Sequence, residues 1–430
     1  MSTRNEQFLA AAHSIGMRLC RDAIWASDRC NWIGASMEYV ANNWQTVQKA
    51  FGSELYAGTS GIGLFLAELD AVAPESIFRK TAQAAFATAL SRATELPVEM
   101  GIGFYSGHTG IGYALVRAGE LLDRADYTSS GLEMLERLRE DTLERQGTDV
   151  VSGFAGAIPA FLTMSHKFQR EDLAALAVRC GDRLIATAHP AEAGWSWDTL
   201  GPASPPGQKH LCGFSHGTGG IGWAFLELGR VTSEKRFRDA ADRAFAYERH
   251  WYNPTYENWP DFRSATPGQP SATPSYAAAW CHGAPGIGLS RVRAFELTGE
   301  AAFRVEAEAA LRTTERGLQA ALTTNHANYS LCHGNFGNAE LCLQAARVFG
   351  KPEHRTLAED VALHAIGIYG PGLAPWPCGV LNAGETPNLM LGTAGIGHFL
   401  LRLHDPERTP AVMIILPESA PSVADSEPRP

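Results

Sequence analysis

One glycine motif recurs seven times along this chain, and it constrains the fold more than any other feature. Each copy reads GxxG and is followed by a run of apolar or small residues. The spacings of 49, 46, 64, 66, 51 and 58 residues are too irregular for a short solenoid repeat, but each leaves room for two helices and their loops. The copies begin at Gly58, Gly107, Gly153, Gly217, Gly283, Gly334 and Gly392. Each repeat is therefore predicted to contribute one helical hairpin.

The two helices of a repeat have different sequence patterns. The stretch after each GxxG is apolar or small on nearly every side, which indicates a helix that is buried all round. The intervening stretches are one-sided: around residue 303, apolar positions follow helical spacing and charged residues occupy the other face. This alternation fits a closed ring better than an open superhelix, whose end repeats would need polar capping faces. We expect an all-α fold, an α/α toroid (barrel) of seven helical-hairpin repeats in which the GxxG-led helices are the inner ones.

The repeats favour one domain over several, and we assign residues 1–416 to a single α/α toroid. Residues 417–430 contain four prolines and almost no large apolar side chain, so we expect a disordered, proline-rich tail. Two insertions, at 195–210 and 252–275, are rich in proline and aromatic residues and are predicted to be loops. Strand signals are weak, and the AVMIIL run at 411–416 is the one convincing strand candidate.

Charge and hydropathy narrow the classes of partner. The 46 acidic and 36 basic side chains give a net charge of −10, which argues against nucleic acid or an anionic membrane as the main partner. No segment approaches the roughly 18 uncharged apolar residues of a membrane span, and the first residues lack a secretory signal pattern. The eight cysteines are too scattered for a disulfide scaffold. We therefore expect a cytoplasmic protein whose special cysteines serve a metal or catalysis.

The residues that precede each GxxG include the candidate metal ligands of this chain. The position immediately before the first glycine reads Ala57, Ser106, Ser152, His216, His282, His333 and Leu391. One position earlier, the fifth and sixth repeats both have cysteine, Cys281 and Cys332, so both read CHG. In a closed ring, equivalent positions of neighbouring repeats meet at the same mouth. Two cysteines and up to three histidines at that mouth predict a zinc site, and ligands on separate turns predict an open, catalytic one.

Simpler explanations exist for each of these residues taken alone. A single cysteine or histidine beside a glycine is more often part of the core or a cap, and we keep that interpretation for the other six cysteines. The register alone does not decide whether His282 or His333 is the third ligand. Asp149 is expected to be a surface or turn carboxylate. A functional role would require the fold to place it near His216, where it could orient the imidazole. The aromatic residues between 251 and 262 could shape a substrate groove or merely pin a long loop.

Several motifs together resemble the lanthionine synthetase C-like family, and most closely the cyclase domain of class II lanthipeptide synthetases. The resemblance spans nearly the whole chain and rests on DVVSGFAG at 149–156, GFSHG at 213–217, NWPDF at 258–262, WCHGAPGIG at 280–288 and LCHGNFGNAEL at 331–341. It implies an α/α toroid with one Zn²⁺ at its mouth. It also implies Michael-type addition of peptide cysteine thiols to dehydroalanine or dehydrobutyrine, which forms the thioether rings of lanthionine and methyllanthionine.

The resemblance also implies the role of each site residue. The zinc ligands would be Cys281, Cys332 and His333. The general acid/base would be His216, with Asp149 as its partner. His282 would be a neighbour and not a ligand. Stand-alone cyclases of the family often carry an arginine four residues before the first zinc cysteine. This chain has Ala277 at that position, and Arg263 is a candidate substitute.

The implied partner is a dehydrated precursor peptide. Because only 57 residues precede the first GxxG glycine, we expect a stand-alone cyclase or an excised domain, with dehydration done elsewhere and a separate dehydratase as a candidate partner. One alternative is a relative that adds a small thiol such as glutathione to dehydrated residues. A second alternative is a non-catalytic peptide-binding scaffold. Glycoside cleavage by a toroid would need an opposed pair of carboxylates, and no such pair occurs in register.

Overall fold

The computed structural model describes residues 3–40, 43–138, 143–144, 146–201, 204, 206–263, 273–324, 328–370 and 374–417. Within these ranges the chain forms fourteen α-helices. They are α1 (Arg4–Asp22), α2 (Thr59–Val72), α3 (Ser76–Arg92), α4 (His108–Leu121), α5 (Ala125–Glu136), α6 (Phe154–Phe168), α7 (Glu171–Ala186), α8 (Thr218–Thr232), α9 (Lys235–Trp251), α10 (Ala284–Thr298), α11 (Ala301–Ala321), α12 (Asn335–Phe349), α13 (Pro352–Tyr369) and α14 (Thr393–His404).

The helices form two concentric layers. The inner layer consists of α2, α4, α6, α8, α10, α12 and α14, each of which begins directly after the first glycine of a GxxG motif. Each inner helix contacts the next along the chain, and α14 contacts α2, so the ring is closed. Each of the first six inner helices packs against the helix that follows it, whereas α14 packs against α1. The predicted α/α toroid is confirmed, with the difference that the seventh outer helix comes from the other end of the chain.

The second glycine of each motif explains why the motif recurs. A Cβ atom at Gly110 would lie 1.6 Å from the carbonyl oxygen of Phe104, and one at Gly337 would lie 1.7 Å from that of Leu331. No side chain fits at such a distance, so only glycine lets the preceding loop fold onto the first turn of the inner helix. The motif therefore fixes where the mouth loops sit relative to the inner helices.

The inner helices are less uniformly apolar than their sequences indicated. Charged side chains of the inner helices form buried, two-pronged ion pairs between neighbouring inner helices, with shortest N–O distances of 2.8, 2.5 and 2.7 Å. The pairs are Glu68–Arg117, Glu227–Arg293 and Glu340–Arg402. Because each carboxylate is almost fully buried, its charge is balanced mainly by the arginine of the next repeat. These pairs tie adjacent repeats together.

Replacing Arg402 by alanine is expected to lower the free energy of unfolding by about 3–5 kcal/mol, because Glu340 would remain buried without its partner. Urea denaturation followed by circular dichroism measures this change. The double substitution Glu340→Leu with Arg402→Met removes both charges and should recover most of the loss. An Arg402→Ala protein as stable as the wild type would show that the pair contributes nothing.

The strand prediction for residues 411–416 is wrong. Those residues form an irregular segment with Val412, Met413, Ile414 and Ile415 buried inside the ring. Side chains, and not a neighbouring strand, bind two carbonyls of this segment: the hydroxyl of Tyr105 donates to the carbonyl of Val412 at 2.6 Å, and the indole of Trp280 donates to that of Met413 at 2.9 Å. Tyr105 and Trp280 belong to the second and fifth repeats, so the segment is held from different parts of the ring.

Short antiparallel hairpins occur elsewhere, where none was expected. Two of them lie before the first repeat, β1 (Ile24–Ala26) with β2 (Arg29–Asn31) and β3 (Ile33–Val40) with β4 (Asn43–Ala50). The third, β5 (His189–Ala191) with β6 (Gly194–Ser196), follows α7 and ends at the start of the 195–210 insertion. The predicted tail falls mostly on residues 418–430, outside the described residues, and the boundary at 416 stays a prediction.

Candidate functional site

The residues before each GxxG are joined by a closed circle of backbone hydrogen bonds, which we call the mouth belt. Each N–H of the belt donates to a carbonyl of the next repeat. The bonds run from Tyr56 to Tyr105 (2.8 Å), Tyr105 to Val151 (3.0 Å), Val150 to Ser215 (3.0 Å), Ser215 to Cys281 (3.3 Å), Cys281 to Cys332 (3.3 Å), Cys332 to Met390 (2.9 Å) and Met390 to Tyr56 (2.9 Å). The belt brings equivalent positions of all seven repeats to one mouth, as the register predicted.

Three side chains of the fifth and sixth repeats meet at this mouth. One ligand atom each from Cys281, Cys332 and His333 lies within 4.8 Å of the other two, so these residues could hold a metal ion. The Nε2 atom of His333 lies 2.8 Å from the carbonyl oxygen of Gly379. Because a carbonyl only accepts, Nε2 carries the proton and Nδ1 keeps its lone pair for a ligand. Two sulfurs and one oriented imidazole are the donor set that zinc prefers.

The thiols of Cys281 and Cys332 shift each other's pKa in opposite directions. The thiol of Cys332 donates to Cys281, which lowers the pKa of Cys281 to about 7 against the opposing effect of burial. The positive charge of Arg263 lowers the pKa of Cys281 further. The same hydrogen bond, together with burial, raises the pKa of Cys332 well above its ordinary value. The direction of the shift at Cys281 favours its thiolate, which is the form that binds a metal.

Asp149 and His216 form a second pair at the mouth. The Nδ1 atom of His216 lies 2.6 Å from Oδ2 of Asp149, and Oδ1 of Asp149 accepts hydrogen bonds from the amide and hydroxyl of Ser152 at 2.7 and 3.0 Å. Asp149 is buried, with 3% of its surface exposed, so it is not the surface carboxylate that a simpler interpretation suggested. Burial opposes protonation of His216, but the hydrogen bond and the charge of Asp149 outweigh it and raise the pKa of His216.

His282 lies behind these groups and does not join the metal cluster. Its ring stacks on that of His216, with centroids 5.7 Å apart, and is fully buried. Neither ring nitrogen has a hydrogen-bond partner among the described residues, and Oδ1 of Asp261 lies 4.0 Å from Nδ1. Burial lowers the pKa of His282 to about 3, helped by the charge of Arg263, so the ring is neutral. Its place in the structure is that of a packing neighbour.

The positive charge of Arg263 lowers the pKa of both thiols. A two-pronged ion pair with Asp261, with a shortest distance of 2.7 Å, orients its guanidinium. Its positive charge acts on Cys281, Cys332 and His333 alike. The side chain at position 277, by contrast, is only a methyl group. Arg263 therefore stands where a positive charge can influence the site.

The loop that carries Arg263 is pinned by its aromatic residues. Trp259 and Phe262 are buried, with 1% and 5% of their surfaces exposed, and Phe262 packs edge-on against Trp251. Lys209 of the other insertion lies over both Trp251 and Phe262. Of the two interpretations that the sequence left open for these aromatic residues, the contacts favour loop pinning, and Tyr256 alone of the set is largely exposed.

The sequence interpretation overlooked Tyr56, which occupies in the first repeat the position that Cys281 and Cys332 occupy in theirs. Burial raises the pKa of its phenol well above the ordinary value, and the nearby sulfurs of Cys332 and Cys281 raise it further. The signal was present in the alignment of the repeats, where this position reads Tyr in the first two copies and Cys in the fifth and sixth. A search for ligands alone does not single out a tyrosine.

A closed helical toroid that gathers two thiols and an imidazole at one mouth, beside a carboxylate-bound histidine, defines a narrow class of proteins. The model of the lanthionine synthetase C-like family matches residues 50–414. This chain belongs to the lanthionine synthetase C-like family, which confirms the resemblance seen in its motifs.

Individual relatives agree with this assignment. The chain is 23% identical over 389 residues to the lacticin 481/lactococcin biosynthesis protein LcnDR2 of Lactococcus lactis subsp. lactis. The match covers 88% of this chain but only 38% of that protein. Among solved structures, nisin cyclase superimposes with a TM-score of 0.59 at 18% identity and covers 84% of this chain and 91% of its own. The second comparison supports the fold, and the first shows that this chain corresponds to part of a longer relative.

Within the described ranges, every helix is too short or too polar to cross a lipid bilayer.

Proposed function

We propose that this protein is a zinc-dependent lanthipeptide cyclase, which joins cysteine thiols of a dehydrated precursor peptide to dehydroalanine or dehydrobutyrine residues. The observation that carries the proposal is the meeting of Cys281, Cys332 and His333 at one mouth with the Asp149–His216 pair. Membership of the lanthionine synthetase C-like family and the likeness to nisin cyclase support it.

The chemistry of the addition matches the groups at the mouth. A zinc ion held by Cys281, Cys332 and His333 would bind the peptide thiol and favour loss of its proton. The sulfur then bonds to the β-carbon of the dehydrated residue, the carbon–carbon double bond becomes single, and negative charge develops as an enolate. A proton must finally reach the α-carbon. One thiol proton leaves and one proton arrives, so the mass of the peptide does not change.

His216 is proposed to supply that proton. Asp149 holds its Nδ1, which leaves Nε2 as the nitrogen that exchanges a proton with the substrate. The raised pKa keeps a larger fraction of the imidazole protonated near neutral pH than an isolated histidine would have. The carboxylate therefore both orients the ring and stabilises its charged form.

A synthetic peptide with one dehydroalanine and one cysteine tests the proposal. After incubation with zinc-loaded protein, alkylation of free thiols and mass spectrometry distinguish the cyclic product, which takes up no alkyl group, from the open peptide. We expect a thiol-free product of unchanged mass. Addition of supplied glutathione to the dehydroalanine in place of ring closure would favour the small-thiol alternative, and no reaction at all would favour a non-catalytic scaffold.

Arg263→Gln is expected to slow ring formation by about 10²- to 10³-fold with zinc still bound, because a positive charge near a developing enolate is lost. Arg263→Lys should retain part of the rate. The matched control is Arg312→Gln, since Arg312 pairs with Glu257 on the surface. Alkylation-resolved initial rates and metal content measure the effect. Equal rates for the Arg263→Gln and Arg312→Gln proteins would remove Arg263 from the mechanism.

A further inference from the structure

Arg291 is an exception among the repeats. It lies eight residues after the first glycine of the fifth motif, on α10, and its side chain is fully buried. The equivalent positions of the other six repeats hold buried apolar residues or a buried cysteine, namely Leu66, Leu115, Phe161, Phe225, Cys342 and Leu400. The ring therefore closes elsewhere without an arginine at this position. Because a buried ion pair is weak evidence for added stability, the arginine calls for another explanation.

Arg291 holds the carboxylate of Glu248, which lies on the outer helix α9. The guanidinium donates to Oε2 of Glu248 at 2.9 Å, and neither side chain is exposed. It also donates to Oε2 of Glu306 on α11 at 2.6 Å and to the hydroxyl of Ser290 at 3.0 Å. Because the guanidinium is bound by two outer helices and by its own helix, the Glu248 carboxylate is fixed in place.

The second oxygen of Glu248 binds the loop that carries His216. Oε1 accepts a hydrogen bond from the amide of Gly213 at 2.8 Å, and Gly213 begins the GFSHG segment. The equivalent amides of the second, fifth and sixth repeats donate to acceptors of their own loops. These acceptors are Met100 for Gly103, His282 for Ala279 and Asn328 for Ser330. In the fourth repeat, by contrast, the acceptor is a side chain 35 residues further along the chain.

Gly213 links the Glu248 carboxylate to the rest of the mouth. Its carbonyl accepts hydrogen bonds from two amides in the first turn of α8, at 3.1 and 3.3 Å. Its φ is +121°, and a Cβ atom there would lie 2.9 Å from the carbonyl oxygen of Cys281. Two residues later, Ser215 donates to that same carbonyl from its amide at 3.3 Å and from its hydroxyl at 3.2 Å. The backbone is thus held at both ends of 213–215, and His216 follows directly.

We propose that Glu248, held by Arg291, is a positioning residue for His216, because its carboxylate fixes the loop from which the imidazole meets the substrate. The inference rests on the proposed function, in which His216 supplies the proton. Asp149 binds Nδ1 of the imidazole, but this bond places the ring correctly only if the backbone of His216 is fixed as well. A displacement of about 1 Å at a reacting group can cost about 10²-fold in rate. This role explains why one repeat buries an arginine where the other six do not.

Two double variants separate the hydrogen bond to Gly213 from the buried charges. Glu248→Leu with Arg291→Leu leaves neither charge unpaired, and Glu306 keeps a second arginine partner, but the amide of Gly213 loses its acceptor. We expect ring formation to slow by about 10- to 100-fold with zinc fully bound. Hydrogen–deuterium exchange of residues 213–217, measured by mass spectrometry, should become faster. Glu248→Gln with Arg291→Leu restores an uncharged acceptor, so it should recover most of the rate and the slow exchange.

Glu227→Leu with Arg293→Leu is the matched control. It removes another buried ion pair between α8 and α10, whose ion-pair partners all belong to those two helices. The rate of ring formation and the exchange of residues 213–217 should equal those of the wild type. Equal slowing in this control and in the Glu248→Leu, Arg291→Leu protein overturns the inference. An unchanged rate and unchanged exchange in the latter protein overturn it too.

The wild-type protein provides a second measurement if the Glu248→Leu, Arg291→Leu protein does not fold. An amide of Gly213 that exchanges as fast as in an unstructured peptide contradicts the inference, whereas strong protection supports it. A wild-type protein that binds zinc but forms no thioether would instead overturn the proposed function. The exchange measurements would then still test how the loop is held.

Discussion

Replacing His216 by alanine is expected to slow thioether formation by about 10²- to 10⁴-fold while zinc occupancy stays complete, the usual cost of losing a general acid/base. The imidazole is bound through Nδ1 to Asp149 and lies outside the cluster of Cys281, Cys332 and His333. Removing it therefore takes away a proton donor and no metal ligand. Metal content and alkylation-resolved cyclisation, both measured on the same sample, separate these two roles.

The substitution Asp149→Asn tests the contribution of the carboxylate that binds His216. An amide keeps the shape of the side chain but loses the charge that raises the pKa of His216, so the loss of rate should be smaller than that of His216→Ala. Loss of zinc in the His216→Ala protein would make His216 a ligand. Cyclisation at the wild-type rate would show that His216 takes no part in the reaction. Its register with the other histidines would then be only structural.

Cys281→Ala or Cys332→Ala is expected to abolish zinc binding at micromolar concentration, and ring formation with it, because either change leaves two of the three ligands. The protein should remain folded, since the mouth contributes little to a core formed by seven repeats. Elemental analysis after demetallation and reconstitution measures the metal, and circular dichroism checks the helices.

Cys378→Ala is a demanding control for the ligand assignment. Cys378 is partly buried and directly precedes Gly379, whose carbonyl binds His333, yet its own sulfur contacts the carbonyls of Trp376 and Thr386. We expect full zinc occupancy in this variant. If zinc were lost from Cys378→Ala and kept in Cys332→Ala, the assigned ligand set would be wrong.

The toroid could be predicted from sequence because its cause is local and repeated. Each GxxG forces a close approach between a carbonyl and a helix start, and seven copies of one such constraint predict seven inner helices. Register then places Cys281 and Cys332 at one mouth. The choice between His282 and His333 could not be derived in this way, because it depends on where each ring points. The imidazole of His333 hydrogen-bonds to the carbonyl of Gly379, which lies 46 residues further along the chain. The ring of His282 instead stacks on that of His216.

Other features escaped the sequence analysis because their partners are far apart along the chain. Glu340 and Arg402 look like isolated charges on apolar helices, and only the ring makes them neighbours. The apolar run at 411–416 has the composition of a strand, but the hydroxyl of Tyr105 and the indole of Trp280 take the place of a partner strand. In both cases the deciding contact is made by a residue more than 60 positions away.

The pairing of α1 with α14 has a consequence for how the protein is made. Among the helices of the ring, α1 is synthesised before all the others and its packing partner α14 after all the others. The inner helix α14 likewise finds α2 only after the intervening repeats have formed. During translation the nascent chain is therefore an open arc that exposes apolar faces at both ends. Final closure is a long-range step with a correspondingly high cost in loop entropy, and we expect it to be the slow stage of folding and the one that most needs a chaperone.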